Sequence, residues 1–418
     1  MLTGQLLLQL IVILLVVQLF GNLSRRIGQQ WVIGEILTGL ALGPSLLGML
    51  WPTLELQLFP RSTLPTLQTL GDIGLILYMF SLGARLDTHL MLRQSRGAVF
   101  VSLSGIVVPL VLGAVLGSVL YPRLAGANAT YWSFVLLVGT AMAITAFPVL
   151  ARLLAEKRML GTTVGMLALT CASVDDVIAW CLLAYVTSMA HAQGAFAIVG
   201  TVGLTILFAG GMLLGVRPLL SYVARRIRSG PLLMALSIIV LFAAAYATNG
   251  IGIHPVFGAF LAGICLPRNV VFTAQVRSID QVNTMIFLPV FFVYSGLQTQ
   301  IGLIQGSVLW VICGLVFLVA CVGKISGGTL STRLIGLSWR DALSMGVLMN
   351  TRGLVELIVL NIGLQLGILS PTLFAMLVIM AIGTTMMASP LLPVLGYRTS
   401  VVDAEVEAVP SEEGRMSV

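Results

Sequence analysis

Gly165-Met-Leu-Ala-Leu-Thr-Cys-Ala-Ser-Val-Asp-Asp-Val-Ile-Ala-Trp-Cys-Leu-Leu-Ala-Tyr185 is an apolar run with two adjacent carboxylates, Asp175 and Asp176, at its centre. A helix needs about 20 such residues to cross a bilayer. Holding one carboxylate at mid-bilayer depth costs at least about 2.5 kcal/mol, and more by other measures. Two in succession are not kept for packing alone. They mark a pathway for protons or cations.

The same apolar character extends over almost the whole chain. Its 418 residues are 58% hydrophobic and 9% charged, where a soluble domain is about a quarter charged. This predicts an all-α polytopic membrane protein embedded in a lipid bilayer. The first apolar run follows Met1-Leu-Thr-Gly, without a basic leader or a small-residue cleavage site, and reads as a retained span. Cys171, Cys181, Cys265, Cys313 and Cys321 all lie in apolar stretches. With no CxxC or Cys/His spacing, they read as packing residues, and neither a transition-metal site nor a cofactor is expected. The net charge of +7 is scattered among short loops rather than gathered in a patch, so nucleic acid is not an expected partner.

Polar and Gly/Pro breaks divide the chain into about thirteen transmembrane helices, near 5–23, 31–50, 66–84, 97–120, 130–152, 162–189, 195–216, 232–248, 252–266, 280–298, 302–332, 340–364 and 371–395. The positive-inside rule tests the count. With the N-terminus outside, the cytoplasmic connections carry seventeen Lys and Arg between Arg25 and Arg398, and the external ones only Arg61 and Arg123. One missing or extra helix would scramble that asymmetry. The protein is therefore expected in the cell membrane, multi-pass, with its C-terminus cytoplasmic. Residues 1–398 form the transmembrane domain, and 399–418 a short acidic disordered tail containing Asp403, Glu405, Glu407, Glu412 and Glu413.

Few charges remain within the spans: Glu35, Asp72, Asp175, Asp176, Lys324, Arg352 and Glu356. A buried ammonium such as Lys324 needs a counter-charge or gives up its proton, and the aspartate pair is the obvious partner. Successive helical residues are about 100° apart, so one aspartate can meet Lys324 while the other faces a cavity. Ser173, three residues before Asp176, offers a neutral oxygen to a hard cation on the same face. The plainer alternative is a structural ion pair, but that needs one aspartate, not two. Arg352 and Glu356, spaced i,i+4, can satisfy each other locally. Glu35 and Asp72 fall near helix ends, where capping or snorkelling explains them. His89, His191 and His254 receive no role.

Two spans are interrupted. The fifth contains Ala143-Ile-Thr-Ala-Phe-Pro-Val-Leu150, where Pro148 removes a backbone donor and disfavours helix at Phe147. The twelfth contains Leu348-Met-Asn-Thr-Arg-Gly-Leu-Val-Glu356, interrupted over Asn350, Thr351, Arg352 and Gly353. Such breaks are tolerated only beside protein or a watery cavity, and in matching places they point to a transporter built from inverted repeats. Two six-helix repeats are expected, about 1–190 and 231–396, joined by a linker helix at about 195–216, with broken helices crossing near Asp175 and Asp176.

With these stretches in view, the sequence resembles the second family of monovalent cation:proton antiporters, which includes bacterial Na⁺/H⁺ antiporters, Kef-type proteins and plant cation/H⁺ exchangers. The matching segments are Gly34-Glu-Ile-Leu-Thr-Gly-Leu-Ala-Leu-Gly-Pro44, Ala143–Arg152, Ser173-Val-Asp-Asp-Val-Ile-Ala-Trp180, His254-Pro-Val-Phe-Gly-Ala-Phe-Leu-Ala-Gly263 and Met349-Asn-Thr-Arg-Gly-Leu-Val-Glu356, in the family's order. The resemblance implies a homodimer in which a core domain moves against a dimerisation domain. It implies that Asp176 is the cation and proton ligand and that Asp175 pairs with Lys324. Asp-Asp members with this lysine are usually electrogenic. The plant exchangers have Asn-Asp or Gln-Asp in place of the pair, so this chain departs from them at Asp175 while matching their Met-Asn-Thr-Arg-Gly motif. Kef-type members carry a cytoplasmic nucleotide-binding domain that this sequence does not show, so nucleotide gating on the same polypeptide is not expected.

The expected function is therefore secondary antiport of Na⁺, K⁺ or Li⁺ against H⁺, with Asp176, Asp175, Ser173 and Thr145 around the ion. Lys324 would be the ion-pair partner, and Pro148, Asn350, Thr351, Arg352, Gly353 and Glu356 would support the broken helices. No enzymatic role is expected: an intramembrane aspartyl protease needs aspartates on two helices and a Gly-x-Gly-Asp motif that Leu70-Gly71-Asp72 lacks. A sodium-coupled symporter of an organic anion is the rival on a related fold. A channel fits less well, because buried charges that must swap partners favour stepwise exchange.

Overall fold

The structure, a computed structural model, describes residues 2–85, 95–190, 195–226, 229–252, 254–267 and 270–396. The acidic tail lies outside the described residues. The helices are α1 (Leu2–Arg26), α2 (Trp31–Leu42), α3 (Leu47–Leu50), α4 (Pro52–Leu58), α5 (Leu64–Arg85), α6 (Ser95–Leu124), α7 (Tyr131–Ala143), α8 (Phe147–Glu156), α9 (Thr163–Ala190), α10 (Ala195–Gly211), α11 (Arg217–Arg226), α12 (Gly230–Ile251), α13 (Pro255–Cys265), α14 (Val270–Met285), α15 (Phe287–Leu297), α16 (Gly306–Leu334), α17 (Trp339–Met349), α18 (Leu354–Gln365) and α19 (Pro371–Val394).

Ten of the described segments are long and apolar enough to span a bilayer. Three shorter apolar helices, Tyr131–Ala143, Pro255–Cys265 and Val355–Gln365, fill the fifth, ninth and twelfth places of the sequence count. The fifth and twelfth spans are short because each is broken, into α7 with α8 and α17 with α18. The tenth span differs from its expected bounds: it begins at Val270 and steps at Ile286 between α14 and α15. The seventh continues past 216 through a π-helical turn, Met212–Val216, into α11.

Helix pairing carries the inverted repeat. Helix α1 packs on α2 as α12 packs on α13; α2 packs on α15 as α13 packs on α5; α6 packs on α7 as α16 packs on α17. Each pair becomes its counterpart when every span is exchanged with the one seven places along. An odd displacement reverses direction across the membrane, so the relation is an inversion. Helices exchanged with each other meet at the pseudo-axis, α5 against α15 and α6 against α16.

Small residues make these crossings possible, as in membranes generally, where backbones approach without a hydrophobic drive. A Cβ on Gly296 would lie 2.6 Å from the Gly39 Cα, and one on Gly263 would lie 3.0 Å from the Gly83 Cα. Gly34 abuts Gly21 while Gly258 abuts Ala244. The same five-residue glycine spacing in α2 and α13 thus serves equivalent contacts.

The helices sort into two bundles. A scaffold contains α1, α2, α5 and α12–α15; a core contains α6–α9 and α16–α19. The larger contacts between them are α15 against α18 and the Ile301–Leu303 turn against α19. At one end of their boundary lies a cavity of 510 Å³, lined from the scaffold by Val32, Tyr78, Arg85 and Asp280 and from the core by Phe147 and Arg152. Arg85 and Asp280 pair at 2.6 Å on its rim.

Candidate ion-binding site

Helix α9 brings Asp175 and Asp176 to the middle of the core. Asp175 Oδ2 lies 3.1 Å from Lys324 Nζ of α16, and both side chains are fully buried. The Asp175 carboxylate also accepts hydrogen bonds from Ser102 Oγ at 2.7 Å and from Thr145 Oγ1 at 2.8 Å. Lys324 donates a second bond, 3.0 Å, to the Gly105 carbonyl of α6. That carbonyl is free for a local reason: four residues on stands Pro109, which has no N–H to donate to it. Gly323, one residue before the lysine, allows the approach, since a Cβ there would lie 2.9 Å from the Pro109 Cα. Proline and glycine on facing helices therefore build a polar seat for an ammonium within apolar surroundings.

Asp176 is equally buried but differently served. Its Oδ1 has no hydrogen-bond partner, while the Phe147 backbone amide reaches the carboxylate. Phe147 is the first residue of α8, so the positive end of a half-helix dipole faces this anion. Ser173 is buried, with its hydroxyl proton given to the Leu169 carbonyl at 2.7 Å. Its oxygen lone pairs alone remain for a cation.

The broken helices cross here. Residues 144–146 and 350–353 are non-helical, and the Ala146 N–H donates to the Thr351 carbonyl at 3.0 Å. Thr145 Oγ1 also lies 3.0 Å from the Met349 carbonyl, so one hydroxyl touches the end of α17 as well as Asp175. Thr351 Oγ1 closes the last turn of α17 on Leu348 O at 2.8 Å, and Asn350 Nδ2 contacts Cys321 Sγ at 3.6 Å. Gly353 holds φ at 154°, open only to glycine, and starts α18 against Val149. The first interruption differs from expectation: Phe147 is helical and Pro148 sits in the first turn of α8. A proline there loses no bond, because first-turn amides have no partner within the helix.

Arg352 does more than pair locally. Its guanidinium donates to the carbonyls of Ala141, at 2.5 Å, and Met142, at 2.7 Å, in the last turn of α7. Glu356 Oε1 lies 3.4 Å away. A cation thus caps the negative end of one half-helix while being carried at the break of the other. The Arg352 backbone is tied in turn to Thr385 of α19, which accepts from its N–H at 2.9 Å and donates to its carbonyl at 2.8 Å. Sequence reasoning missed Ser102, Gly105 and Thr385. Pro109 four residues after Gly105 was a readable signal for one of them; the other two are ordinary hydroxyls whose place only folding defines.

Two expectations need correction. Glu35 is not at a capping or snorkelling position: it is fully buried one turn into α2, and neither carboxylate oxygen has a well-formed hydrogen bond. Asp72 lies well inside α5 and is partly buried.

This geometry stands beside clear sequence and fold relationships. The chain is 43% identical over 390 residues to the Na(+)/H(+) antiporter NhaS4 of Synechocystis sp., covering 91% of this chain and 95% of that protein. It is 39% identical to Cation/H(+) antiporter 17 of Arabidopsis thaliana and 32% identical to K(+)/H(+) antiporter 1 of Saccharomyces cerevisiae, over 92% of this chain in each case. Those two are longer proteins, of which it spans 48% and 45%. The sodium proton antiporter MjNhaP1 of Methanocaldococcus jannaschii shares the fold, with a TM-score of 0.62 at 17% identity over 93% of this chain and 96% of that one. A family model described as the transmembrane sodium/hydrogen exchanger matches residues 11–395. With its apolar helices, repeated architecture and buried carboxylates, the chain belongs to the transmembrane sodium/hydrogen exchanger family.

Proposed function

We propose that this protein is a secondary active antiporter exchanging a monovalent cation, Na⁺, K⁺ or Li⁺, for protons by alternating access. One observation carries the reading: Asp176 is buried with an unpartnered oxygen beside Asp175, whose charge Lys324 already answers. A carboxylate in that position is stable with a proton or with a bound cation, and not with neither. Its two occupants therefore exclude each other, which is the condition for exchange. The names of the relatives support a cation and a proton as the two substrates, and nothing favours the organic-anion symporter.

Asp176, Ser173 and Thr145 would contribute oxygens to the cation. Asp175 and Lys324 would hold an ion pair that loosens when cation enters and Lys324 gives up its proton. Two protons would then move against one cation, making transport electrogenic. Pro148, Asn350, Thr351, Arg352, Gly353 and Glu356 would maintain the crossed breaks. Repeat one at about 1–190 and repeat two at about 231–396, joined by the linker helix, would each give helices to both bundles, and the core would move against the scaffold around the site. The arginine-rich connections would face the cytoplasm of a cell-membrane protein, the N-terminus outside, and two copies would pair as a homodimer. In that orientation the cavity beside Phe147 opens inward.

Reconstitution into vesicles with a pH-sensitive dye tests the reading. Addition of Na⁺, K⁺ and Li⁺ in turn should release a preset proton gradient for at least one cation, at a rate that responds to membrane potential. Failure of all three under every gradient would refute antiport. A rate indifferent to potential would refute the two-proton scheme alone.

A further inference from the structure

The two ends of the boundary between scaffold and core are held differently. At the end away from the cavity, Asn361 Nδ2 of α18 donates to Ser295 Oγ of α15 at 3.1 Å. Ser295 is fully buried and Asn361 nearly so. The second amide N–H of Asn361 is used within α18, on the Leu357 carbonyl at 2.8 Å, which fixes the side chain towards the scaffold. Both residues stand in the last turns of helices leading to the connections at 298–305 and 366–370, opposite the arginine-rich loops. This bond crosses the boundary on the side where the bundles are closed.

At the cavity end the arrangement is reversed. Glu35 of α2 belongs to the scaffold and is fully buried; neither carboxylate oxygen has a well-formed hydrogen bond, and only the Trp31 indole, one turn earlier in the same helix, approaches them. The charge acting on it is Arg152 of the core helix α8, which lines the cavity together with Val32, one turn before Glu35. A buried carboxylate so weakly hydrogen-bonded is costly. It persists in one conformation of a moving protein when another conformation supplies a stronger donor. The cavity is the space that must close when the core moves to expose Asp176 on the other side, and closure brings the α8 wall towards α2.

We propose that scaffold and core are held by two alternative polar contacts: Ser295–Asn361 at the outer end, made when the site faces inward, and Glu35–Arg152 at the inner end, made when it faces outward. The proposal rests on the antiporter reading and assigns these four residues to the balance between the two states rather than to the ion. A contact present in only one state shifts the equilibrium by its own free energy. Removing each should therefore shift it in opposite directions.

The test uses the full chain in everted vesicles, which present the inner face, and in right-side-out vesicles, which present the outer. Half-saturating NaCl and KCl are read by proton flux, and the outer-to-inner ratio is compared. Asn361→Leu, which keeps volume and loses the bond, should lower that ratio roughly two- to tenfold, the range expected for one buried hydrogen bond. Glu35→Gln should raise it. Ser295→Ala and Arg152→Gln provide second variants with the same opposite signs, should either first variant fail to insert. Ratios unchanged in both pairs, or shifted the same way, would overturn the proposal. Absence of any cation-dependent flux in the unmodified protein would instead refute the antiporter reading.

Discussion

The Thr145 hydroxyl lies 2.8 Å from Asp175 Oδ2 and 3.0 Å from the carbonyl of Met349, bridging the carboxylate pair and the broken end of α17. One side chain thus joins the three parts of the site: the interruption in α7–α8, the interruption in α17–α18 and the charges of α9. A hydroxyl has a single proton to donate, so its bond can pass between carboxylate and carbonyl as the charge on Asp175 changes.

Thr145→Val, of the same shape without the hydroxyl, should lower stability by about 1.5–3 kcal/mol, the usual range for a hydrogen bond to a charged group. Thr145→Ser should restore most of it. Thermal unfolding in detergent reads the first effect, and half-saturating cation concentration should rise in the valine variant only.

Asp176→Asn should abolish proton-coupled exchange without lowering thermal stability. The substitution removes a buried carboxylate with an unpartnered oxygen and leaves the Asp175–Lys324 pair intact. Robust dye response in a correctly inserted Asn variant would remove Asp176 from the centre of the mechanism.

Lys324→Ala is predicted to be severe, because Asp175 would remain a buried anion held only by the Ser102 and Thr145 hydroxyls. Breaking one partner of a buried pair costs about 3–5 kcal/mol. Neutralising both, in Asp175→Asn with Lys324→Met, should recover most of the melting temperature. A single lysine variant as stable as the parent would show that the pair contributes nothing to the fold.

Arg352→Lys keeps the charge but gives up the fork that serves two carbonyls at once, those of Ala141 and Met142. An ammonium on a shorter reach leaves at least one of them without its donor. The expected result is a melting temperature several degrees lower, a loss of about 1–3 kcal/mol, and slowed exchange. Parent-like behaviour of the lysine variant would mean that charge at this position suffices.

Gly296→Ala tests the repeat-related crossing of α2 and α15. The added methyl would fall 2.6 Å from the Gly39 Cα, backbone against backbone, with no flexible side chain to yield. Expression of folded protein should fall sharply, whereas the same change at Gly314, which faces open space, should be silent.

Much of the fold is readable in the chain itself. Apolar length, charge placement and the two interruptions define thirteen spans and their inverted halves, because a bilayer permits few other ways to satisfy a backbone. The same argument singled out Asp175, Asp176 and Lys324, since charges in hydrocarbon are too costly to be incidental. The partners of those charges were another matter. Helix period says that two neighbouring aspartates face apart, not which one Lys324 meets. The choice follows from Pro109 freeing the Gly105 carbonyl and Gly323 letting α16 close on α6. In the same way, Arg352 and Glu356 satisfy a local rule in sequence, but the main partners of the guanidinium are carbonyls more than two hundred residues earlier in the chain. Glu35 reads as a helix-end residue and is a buried acid near the boundary between scaffold and core, because burial depends on what packs over α2 and no periodicity within α2 records it. Sequence determined which groups are too expensive to be accidental; the tertiary structure alone decided how they are satisfied, since hydrogen bonds and ion pairs are set by three-dimensional proximity between spans far apart along the chain.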